Sequence, residues 1–333
     1  MGFEDVKVSG LESAKEDAPA KSKRQINILG IARKYGMVLA LIVLIVIGTV
    51  LSDAFLTSRN LLNVARQVSV IGLLAAGETF VILAGGIDLS VGGVLSASAI
   101  FAAFNQNLPF PLIVLISILF GMAFGLTTGT LVSRAGITPF IATMGMGTVG
   151  DGVAMLLSGG QPIFVNHNAS IFSTLGNGNF ALIPIPVIIM VGCIGLGQLF
   201  LSSTTGGVYL KALGGNEEAT FWSGVNTRNY RTLSFVLSGA FVGMAAILAI
   251  ARTSVGDPVI GQGTTLDAIS AVVIGGTYLG GGGVGSVAGT LLGAFMMGII
   301  NNLFNLLNVN AYWQMVAKGV IIISAVYIGT RKK

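Results

Sequence analysis

The sequence has 333 residues, of which 53% are hydrophobic and only 9% are charged, with a net charge of +5 at pH 7. A soluble globular protein carries about 25% charged residues, so this composition excludes a water-soluble fold. We also expect no nucleic-acid partner. Apolar runs such as 35–51 and 112–132 are long enough to cross the roughly 30 Å hydrocarbon layer as helices. We therefore predict an all-α, polytopic helical membrane protein in contact with the lipid bilayer.

The segment 1–34 differs from the rest of the chain. It contains seven Lys or Arg and five Asp or Glu side chains, a composition typical of a flexible tail. No apolar stretch close to the start is followed by a small-residue cleavage site, so we interpret the first apolar run as a retained span. The predicted organisation is a cytoplasmic tail over 1–34 and a transmembrane domain over 35–330.

Apolar segments predict about ten spans, and several of them are short or interrupted by glycine, as expected for half-helices or re-entrant segments. In chain order they are 35–51, 68–84, 91–106, 110–132, 137–157, 182–201, 232–250, 265–279, 284–306 and 312–329.

The distribution of Lys and Arg predicts the orientation of these spans. With the amino terminus inside, ten spans place fourteen cations on the cytoplasmic side and three, Arg59, Arg66 and Arg252, outside. We therefore predict ten spans with both termini in the cytoplasm.

Glycine is abundant, with 48 residues, and two clusters stand out, GGIDLSVGGV (85–94) and GGTYLGGGGV (275–284). When Gly85 is matched with Gly275, the clusters share both Gly-Gly pairs, a leucine and the final valine. The match indicates either an internal duplication, common in transporters, or two unrelated glycine-rich turns. In the predicted topology both clusters face the cytoplasm, which favours parallel repeats without deciding between parallel and inverted. Broken membrane helices are tolerated where protein or a water-filled cavity covers them, so the clusters indicate a pathway.

Five charged residues lie in or at the edges of predicted spans: Glu78, Asp88, Asp151, Asp267 and Lys318. A charge in mid-bilayer costs at least about 2.5–3.5 kcal/mol, so these groups should pair, become neutral or face water. Lys318 has two candidate counter-ions, Asp267 and Glu78. A structural ion pair and a contact with a transported solute both remain open.

Uncharged polar residues are also placed inside the spans: Thr143, Asn301, Asn302, Asn305 and Gln314. Amides and hydroxyls suit a neutral polyol, but they also hold membrane helices together. Together with Asp151, Asp267 and Lys318, these five residues are our candidates for a translocation path.

The sequence contains no constellation that indicates catalysis, a metal or a bound cofactor. His167 and Cys193 are the only residues of their kinds, and no GxxxxGK[ST] motif is present to bind ATP. The acids in the spans form no evident proton relay of the kind that ion-coupled carriers need. We therefore expect a transport protein that is not itself an enzyme.

The connection over about 203–231 is the longest predicted internal loop, and it is amphipathic. Asn216 is suited to cap a short helix whose first turn holds Glu217 and Glu218, where acids complement the helix dipole. Phe221 and Trp222 follow directly. A docking segment and a merely solvated loop are the two interpretations.

Several long motifs now carry a family resemblance. The stretches ALGGNEEATFWSGVNTRNYR (212–231), LDAISAVVIGGTYLGGGGVGSVAGTLLGAF (266–295) and GETFVILAGGIDLSVGGVLSASA (77–99) resemble the permease subunits of ribose-type bacterial ABC sugar importers. So do GITPFIATMGMGTVGDGVAMLLSGGQPI (136–163) and the segment 301–322. The resemblance covers roughly residues 35–330.

The resemblance implies a multi-pass protein of the bacterial inner membrane. It also implies two permease subunits, here expected to be identical, around a central path for a neutral monosaccharide. It also implies a periplasmic sugar-binding protein outside and a separate ATP-binding cassette ATPase inside, which uses ATP-Mg. The loop matching 213–226 would be the coupling segment that seats in the ATPase. We expect Gly214 and Gly215 to turn the chain out of the membrane and Asn216–Ala219 to begin the coupling helix. Phe221 and Trp222 would be buried against the ATPase, and Glu217 and Glu218 would face its cations or the helix dipole. Gly224 is a further candidate of the same segment.

The alternative is a stand-alone secondary sugar carrier driven by an ion gradient. It predicts transport without an ATPase and inhibition by a protonophore. The identity of the sugar stays open: ribose, xylose, galactose, a furanose form and a related signalling sugar are all candidates.

Overall fold

The computed structural model of the chain describes residues 28–280 and 282–330. The described part is mainly helical. Its helices are α1 (Ile28–Leu51), α2 (Ser58–Leu83), α3 (Val91–Phe104), α4 (Phe110–Ser133), α5 (Pro139–Ser158), α6 (Ala169–Asn177), α7 (Ile185–Ser203), α8 (Thr205–Gly215), α9 (Glu217–Trp222), α10 (Thr227–Thr253), α11 (Thr264–Ile274), α12 (Val287–Leu306) and α13 (Ala311–Thr330).

Four two-residue strands pair in two antiparallel ladders on the connections. They are β1 (Ile163–Phe164), β2 (Asn179–Phe180), β3 (Ile183–Pro184) and β4 (Val255–Gly256), and β1 pairs with β4 while β2 pairs with β3.

The helices confirm the prediction of a polytopic helical membrane protein. Each of the ten predicted spans overlaps a described helix, and six helices, α2, α4, α5, α7, α10 and α12, are long and apolar enough to cross a membrane. Helix α3 has 14 residues and α11 has 11. At 1.5 Å per residue they are roughly 21 and 16 Å long, shorter than the hydrocarbon layer, as predicted for half-helices.

Local sequence sets many of the helix boundaries. Pro occupies the first turn of α4, α5 and α7, where its missing N–H and fixed φ cost nothing. Helix α5 ends at Gly159, whose φ of 61° suits glycine. Helix α1 begins at Ile28, within the segment predicted as a tail, and residues 1–27 lie outside the described part.

Helices α4 and α10 pack through glycines. A side chain at Gly121 would meet the carbonyl of Gly239, and one at Gly239 would meet the carbonyl of Gly121. One turn further, Ser117 Oγ donates to the carbonyl oxygen of Gly243 at 2.9 Å. Small residues thus bring the two backbones into direct contact, and their pairing shows that the helices run antiparallel.

Helix α2 is the most deeply buried span, and it also runs antiparallel to α10. Near its carboxyl end, Gly77 packs against Ser238 in the first half of α10. Near the amino end of α2, Arg66 donates to the carbonyl oxygen of Asn177 on α6 at 2.8 Å. The neighbouring residue of α6, Gly176, packs against Ala251 near the end of α10. The start of α2 and the end of α10 therefore lie at the same end of the molecule.

The element order reveals a repeat different from the one predicted by the glycine clusters. A long helix, a short helix and two further long helices occur as α2–α5 and again as α10–α13. Because α2 and α10 are antiparallel, the two sets run in opposite directions, as in the inverted repeats of many transporters. Cluster 85–94 begins before the short helix α3, whereas cluster 275–284 follows the short helix α11. Matching the two clusters residue by residue therefore does not align equivalent positions.

Candidate functional site

The predicted coupling segment forms two short helices, α8 and α9, joined at Asn216. The Asn216 side chain accepts a hydrogen bond from the N–H of Ala219 at 2.9 Å, which is the predicted helix cap. Glu217 and Glu218 occupy the first turn of α9, where their charges favour the helix dipole. Glu217 also forms an ion pair with Arg231, with 2.6 Å between Oε2 and Nη2.

Gly214 and Gly215 do not form the predicted turn. Both are helical residues at the end of α8, and the chain changes direction at Asn216 instead. Gly214 packs directly against the carbonyl of Leu83 and beside Gly85. Its own carbonyl oxygen accepts a hydrogen bond from the N–H of Gly282 at 2.6 Å. Glycine is needed at 214 because a side chain there has no room, not because the chain turns.

The same contacts join the coupling segment to both glycine clusters. Gly85 lies in the first cluster and Gly282 in the second, and both lie next to Gly214. The two clusters therefore lie at the same end of the molecule, as predicted. A displacement of α8 would reach both helix breaks directly through backbone contacts.

The outer face of α9 exposes two aromatic side chains on a helix outside the candidate membrane spans. Phe221 is 56% exposed and Trp222 is 77% exposed, and their rings pack edge to face with centroids 5.6 Å apart. Of residues 215–224 only Thr220 is buried. A groove of about 1010 Å³ lies beside α9, lined by Ser133, Glu217, Glu218, Phe221, Gly224, Val225, Asn226, Thr227 and Arg228. Two bare aromatic rings next to two acids and a groove form a surface suited to a protein partner.

The amino ends of the short helices α3 and α11 meet inside the protein. The N–H of Gly92 donates to Thr265 Oγ1 at 2.9 Å, and the N–H of Gly261 donates to Ser96 Oγ at 3.0 Å. Helix α3 runs from this junction toward Gly256, which packs against Ala99. From the same junction α11 leads to the second glycine cluster at the opposite end. The junction therefore lies between the two ends of the molecule, within the depth of the bilayer.

Three predicted path residues meet just beyond this junction. Asp267 on α11, Asn301 on α12 and Lys318 on α13 form a polar cluster, which we call the DNK cluster. Asp267 Oδ2 accepts hydrogen bonds from Asn301 Nδ2 and from Lys318 Nζ, each at 3.0 Å. Asp267 and Asn301 are each 5% exposed. The structure thus selects Asp267, and not Glu78, as the counter-ion of Lys318.

The other predicted path residues lie apart from the DNK cluster. Asn302 exchanges two amide hydrogen bonds with Asn60, of 3.0 and 2.8 Å, and holds α12 to α2. Thr143 is buried on α5 and donates to the carbonyl of Ile87 at 3.4 Å. Asn305 and Gln314 meet at 3.5 Å where α12 connects to α13.

Asp151 is exposed on the span α5. It is therefore not buried within this chain, and a charged side chain is not expected to face lipid. A carboxylate on the surface of a membrane helix must face water or another protein chain. The surface of α5 around Asp151 is therefore a candidate wall of a path.

Glu78 and Asp88 lie together, a contact that the sequence does not indicate. Glu78 Oε1 accepts the N–H of Asp88 at 2.9 Å, and both residues are buried. Asp88 Oδ1 accepts the N–H of Ser90 at 2.9 Å, and its Oδ2 accepts Ser238 Oγ at 3.2 Å. These bonds fix the break between α2 and α3. Ser238 comes from α10, far along the chain from Asp88, and carries no sequence signal.

Comparison with known proteins places these features in a family. Residues 60–326 match the family described as branched-chain amino acid transport system / permease component. The chain belongs to this family. The permease is 40% identical over 302 residues to the ribose import permease protein of Haemophilus influenzae, covering 88% of this chain and 93% of that protein.

Two further relatives extend the match. The ribose import permease protein of Bacillus subtilis is 36% identical over 312 residues, covering 93% and 97% of the two chains. The D-allose transport system permease protein of Escherichia coli is 34% identical over 318 residues, covering 92% and 94%. No solved structure matches the permease. Membership in a family of permease components favours a transport subunit over a stand-alone carrier.

Proposed function

We propose that this permease is the transmembrane subunit of an ATP-driven ABC importer that moves a neutral monosaccharide into the cytoplasm. The observation that carries the proposal is its 40% identity to a ribose import permease over 88% of the chain. The family description names branched-chain amino acids, but the relatives described above are named for sugars. Amide groups in the interior, such as Asn301, agree with an uncharged polyol.

The proposed partner of α9 is an ATP-binding cassette ATPase that uses ATP-Mg, since the permease sequence carries no P-loop. Phe221 and Trp222 would be buried in the ATPase, and Glu218 would face its cations. When the ATPase subunits close on nucleotide, α8 and α9 would move with them. The hydrogen bond between Gly214 and Gly282 and the packing of Gly214 beside Gly85 would pass that motion to the breaks beside α3 and α11.

The complete importer would contain a second copy of the permease and a periplasmic sugar-binding protein on the side opposite α9. The exposed Asp151 supports the second copy, because a water-filled path between two copies would accommodate its charge. The charge distribution supports a cytoplasmic position for α9. Two cations predicted to be cytoplasmic lie at the end of the molecule that carries α9: Arg228 lines the groove, and Arg134 directly follows Ser133, which also lines it. Arg66 and Arg252, which are predicted to lie outside, are at the opposite end.

The test is reconstitution in proteoliposomes with an ATPase and a sugar-binding protein encoded by neighbouring reading frames. Uptake of labelled D-ribose or D-allose should require ATP and the ATPase, and a protonophore should not affect it. Uptake without the ATPase that a protonophore abolishes would instead establish the secondary carrier. Uptake of L-leucine but of no sugar would refute the proposed cargo.

Charge reversal on α9 tests the coupling role. Replacing both acids, Glu217→Lys with Glu218→Lys, should uncouple ATP hydrolysis from uptake while the permease stays folded in the membrane. Because Glu217 is paired with Arg231, a cleaner variant is Glu218→Lys alone, which leaves that pair intact. The matched control is the exchange Glu217→Arg with Arg231→Glu, which preserves the ion pair. Full coupled uptake by the Glu217/Glu218 double variant would refute the assignment.

A further inference from the structure

We propose that the DNK cluster is the point inside the bilayer where hydroxyl groups of the transported sugar are bound. The inference rests on the proposed function and adds the site and the chemical groups that recognise the substrate. It starts from two oxygen atoms that have no hydrogen-bond donor.

Two buried oxygen atoms of the DNK cluster accept no hydrogen bond. Within the described residues, Asp267 Oδ1 and Asn301 Oδ1 are buried and accept no hydrogen bond. Rotating the amide of Asn301 would not help, because its nitrogen must face Asp267 Oδ2, to which it donates at 3.0 Å. A buried polar atom without a partner is costly and rare, and Glu78 Oε2 is another example among the described residues. The DNK cluster holds two such oxygens on side chains joined by a hydrogen bond, which favours a bound donor there.

The free atoms define the ligand chemistry. Asp267 Oδ1 and Asn301 Oδ1 can each accept an O–H from a neighbouring hydroxyl of a sugar. Lys318 Nζ uses one hydrogen for Asp267 Oδ2, and an ammonium group has three donors, so it can also donate to a hydroxyl or ring oxygen. Two acceptors beside a donor match a polyol.

The position of the cluster allows a substrate to reach it. It lies one turn from the junction of α3 and α11, and the residues at the start of α11, Gln262, Gly263 and Leu266, are exposed. Lys318 is held on α13, whose described side chains are otherwise mostly exposed, including Tyr312 and Trp313. Because Lys318 contributes an ion pair between α13 and α11, a movement of α13 away from α11 would open the cluster.

The experiment compares two variants of the cluster with one matched control in the reconstituted importer. Asn301→Leu removes one free acceptor and keeps the ion pair. The pair Asp267→Leu with Lys318→Met removes both charges together, so no unpaired charge is left behind. The control is Thr79→Val with Thr290→Val, which removes another buried polar pair, with 2.8 Å between its hydroxyl oxygens.

Uptake of labelled D-ribose and D-allose is measured with saturating binding protein, together with ATP hydrolysis in the absence of sugar. For Asn301→Leu we expect maximal uptake to fall roughly tenfold, the effect of losing about one hydrogen bond to a substrate hydroxyl. The charge-removing pair should lose more, and the threonine control should transport like the wild type. Uptake by Asn301→Leu equal to that of the control would overturn the proposal.

A second measurement does not depend on the variants folding. Sugar that binds the folded complex raises its thermal stability, whereas sucrose acts only as an osmolyte. At near-molar D-ribose or D-allose, the wild-type complex should melt at a higher temperature than in equimolar sucrose. If neither sugar stabilises beyond sucrose, the free acceptors are satisfied by water alone and the proposal is wrong. A wild-type complex that transports no sugar at all would instead refute the proposed function.

Discussion

Gly214 and Gly215, which are adjacent at the end of α8, should respond in opposite ways to substitution by alanine. At Gly214 a Cβ atom would collide with the backbone carbonyl of Leu83, which cannot rotate away as a side chain could. At Gly215 the nearest atom to a new Cβ is the carbonyl oxygen of Gly282 at 3.8 Å, an ordinary contact. Overpacking costs about 1–3 kcal/mol. An alanine at a compatible helical site stabilises by about 0.4–1 kcal/mol because it restricts the unfolded chain.

The free energies of unfolding of Gly214→Ala and Gly215→Ala should therefore differ by roughly 1.4–4 kcal/mol, in favour of Gly215→Ala. The measurement is thermal unfolding of each purified variant in one detergent. For a chain of this size the difference corresponds to a separation of several degrees, with the wild type between the two variants. Equal melting temperatures, or a Gly214→Ala variant as stable as the wild type, would refute the close contact between α8 and the α2–α3 break.

Two further predictions concern the buried amide pair between α2 and α12 and the exposed face of α5. Asn60→Leu should destabilise the permease by about 1–3 kcal/mol because it leaves Asn302 with a buried unpaired amide, and adding Asn302→Leu should recover part of the loss in a double-mutant cycle. Simple addition of the two effects would contradict the paired amides. Asp151→Leu should leave the melting temperature of a single copy unchanged or higher, while ATP-driven uptake falls at least several-fold, because a polar wall becomes apolar. Unimpaired uptake would show that Asp151 does not face the path.

The membrane spans were predictable because the signal for them is local. A run of apolar residues of sufficient length spans the bilayer whatever its neighbours are, and each of the ten runs corresponds to a helix. The cap at Asn216 was predictable for the same reason, since its partner Ala219 lies within the next helical turn. Short-range chemistry of this kind is visible in a single sequence.

Long-range pairing was not predictable. Lys318 faced two candidate acids, and only the packing of α11 against α13 selects Asp267, 51 residues away. Asn302 resembled a path residue, but its partner Asn60 lies 242 residues away and ties it to α2. No feature of either residue alone distinguishes a helix contact from a substrate contact.

The glycine clusters misled for a physical reason. Each contains a residue with positive φ, Gly85 at 81° and Gly276 at 88°, as expected where helices end beside a turn. Because Gly85 is matched with Gly275, these two conformations fall one position apart. The shared letters therefore reflect a general need for glycine where helices end and not equivalent positions. The repeat visible in the element order, α2–α5 and α10–α13, preserves the order of long and short helices and reverses their direction, which glycine spacing does not report.

The glycine contact between α4 and α10 restricts how such a protein could change shape. Contacts made by bulky side chains can slide when rotamers change, but at Gly121 and Gly239 the two main chains touch with no side chain between them. Separating these helices would break several such contacts along their length at once. They should consequently travel as one rigid unit through every state of a transport cycle. The rearrangements that alternately admit and release a solute should therefore occur in the less tightly packed helices around this pair, and above all in α13.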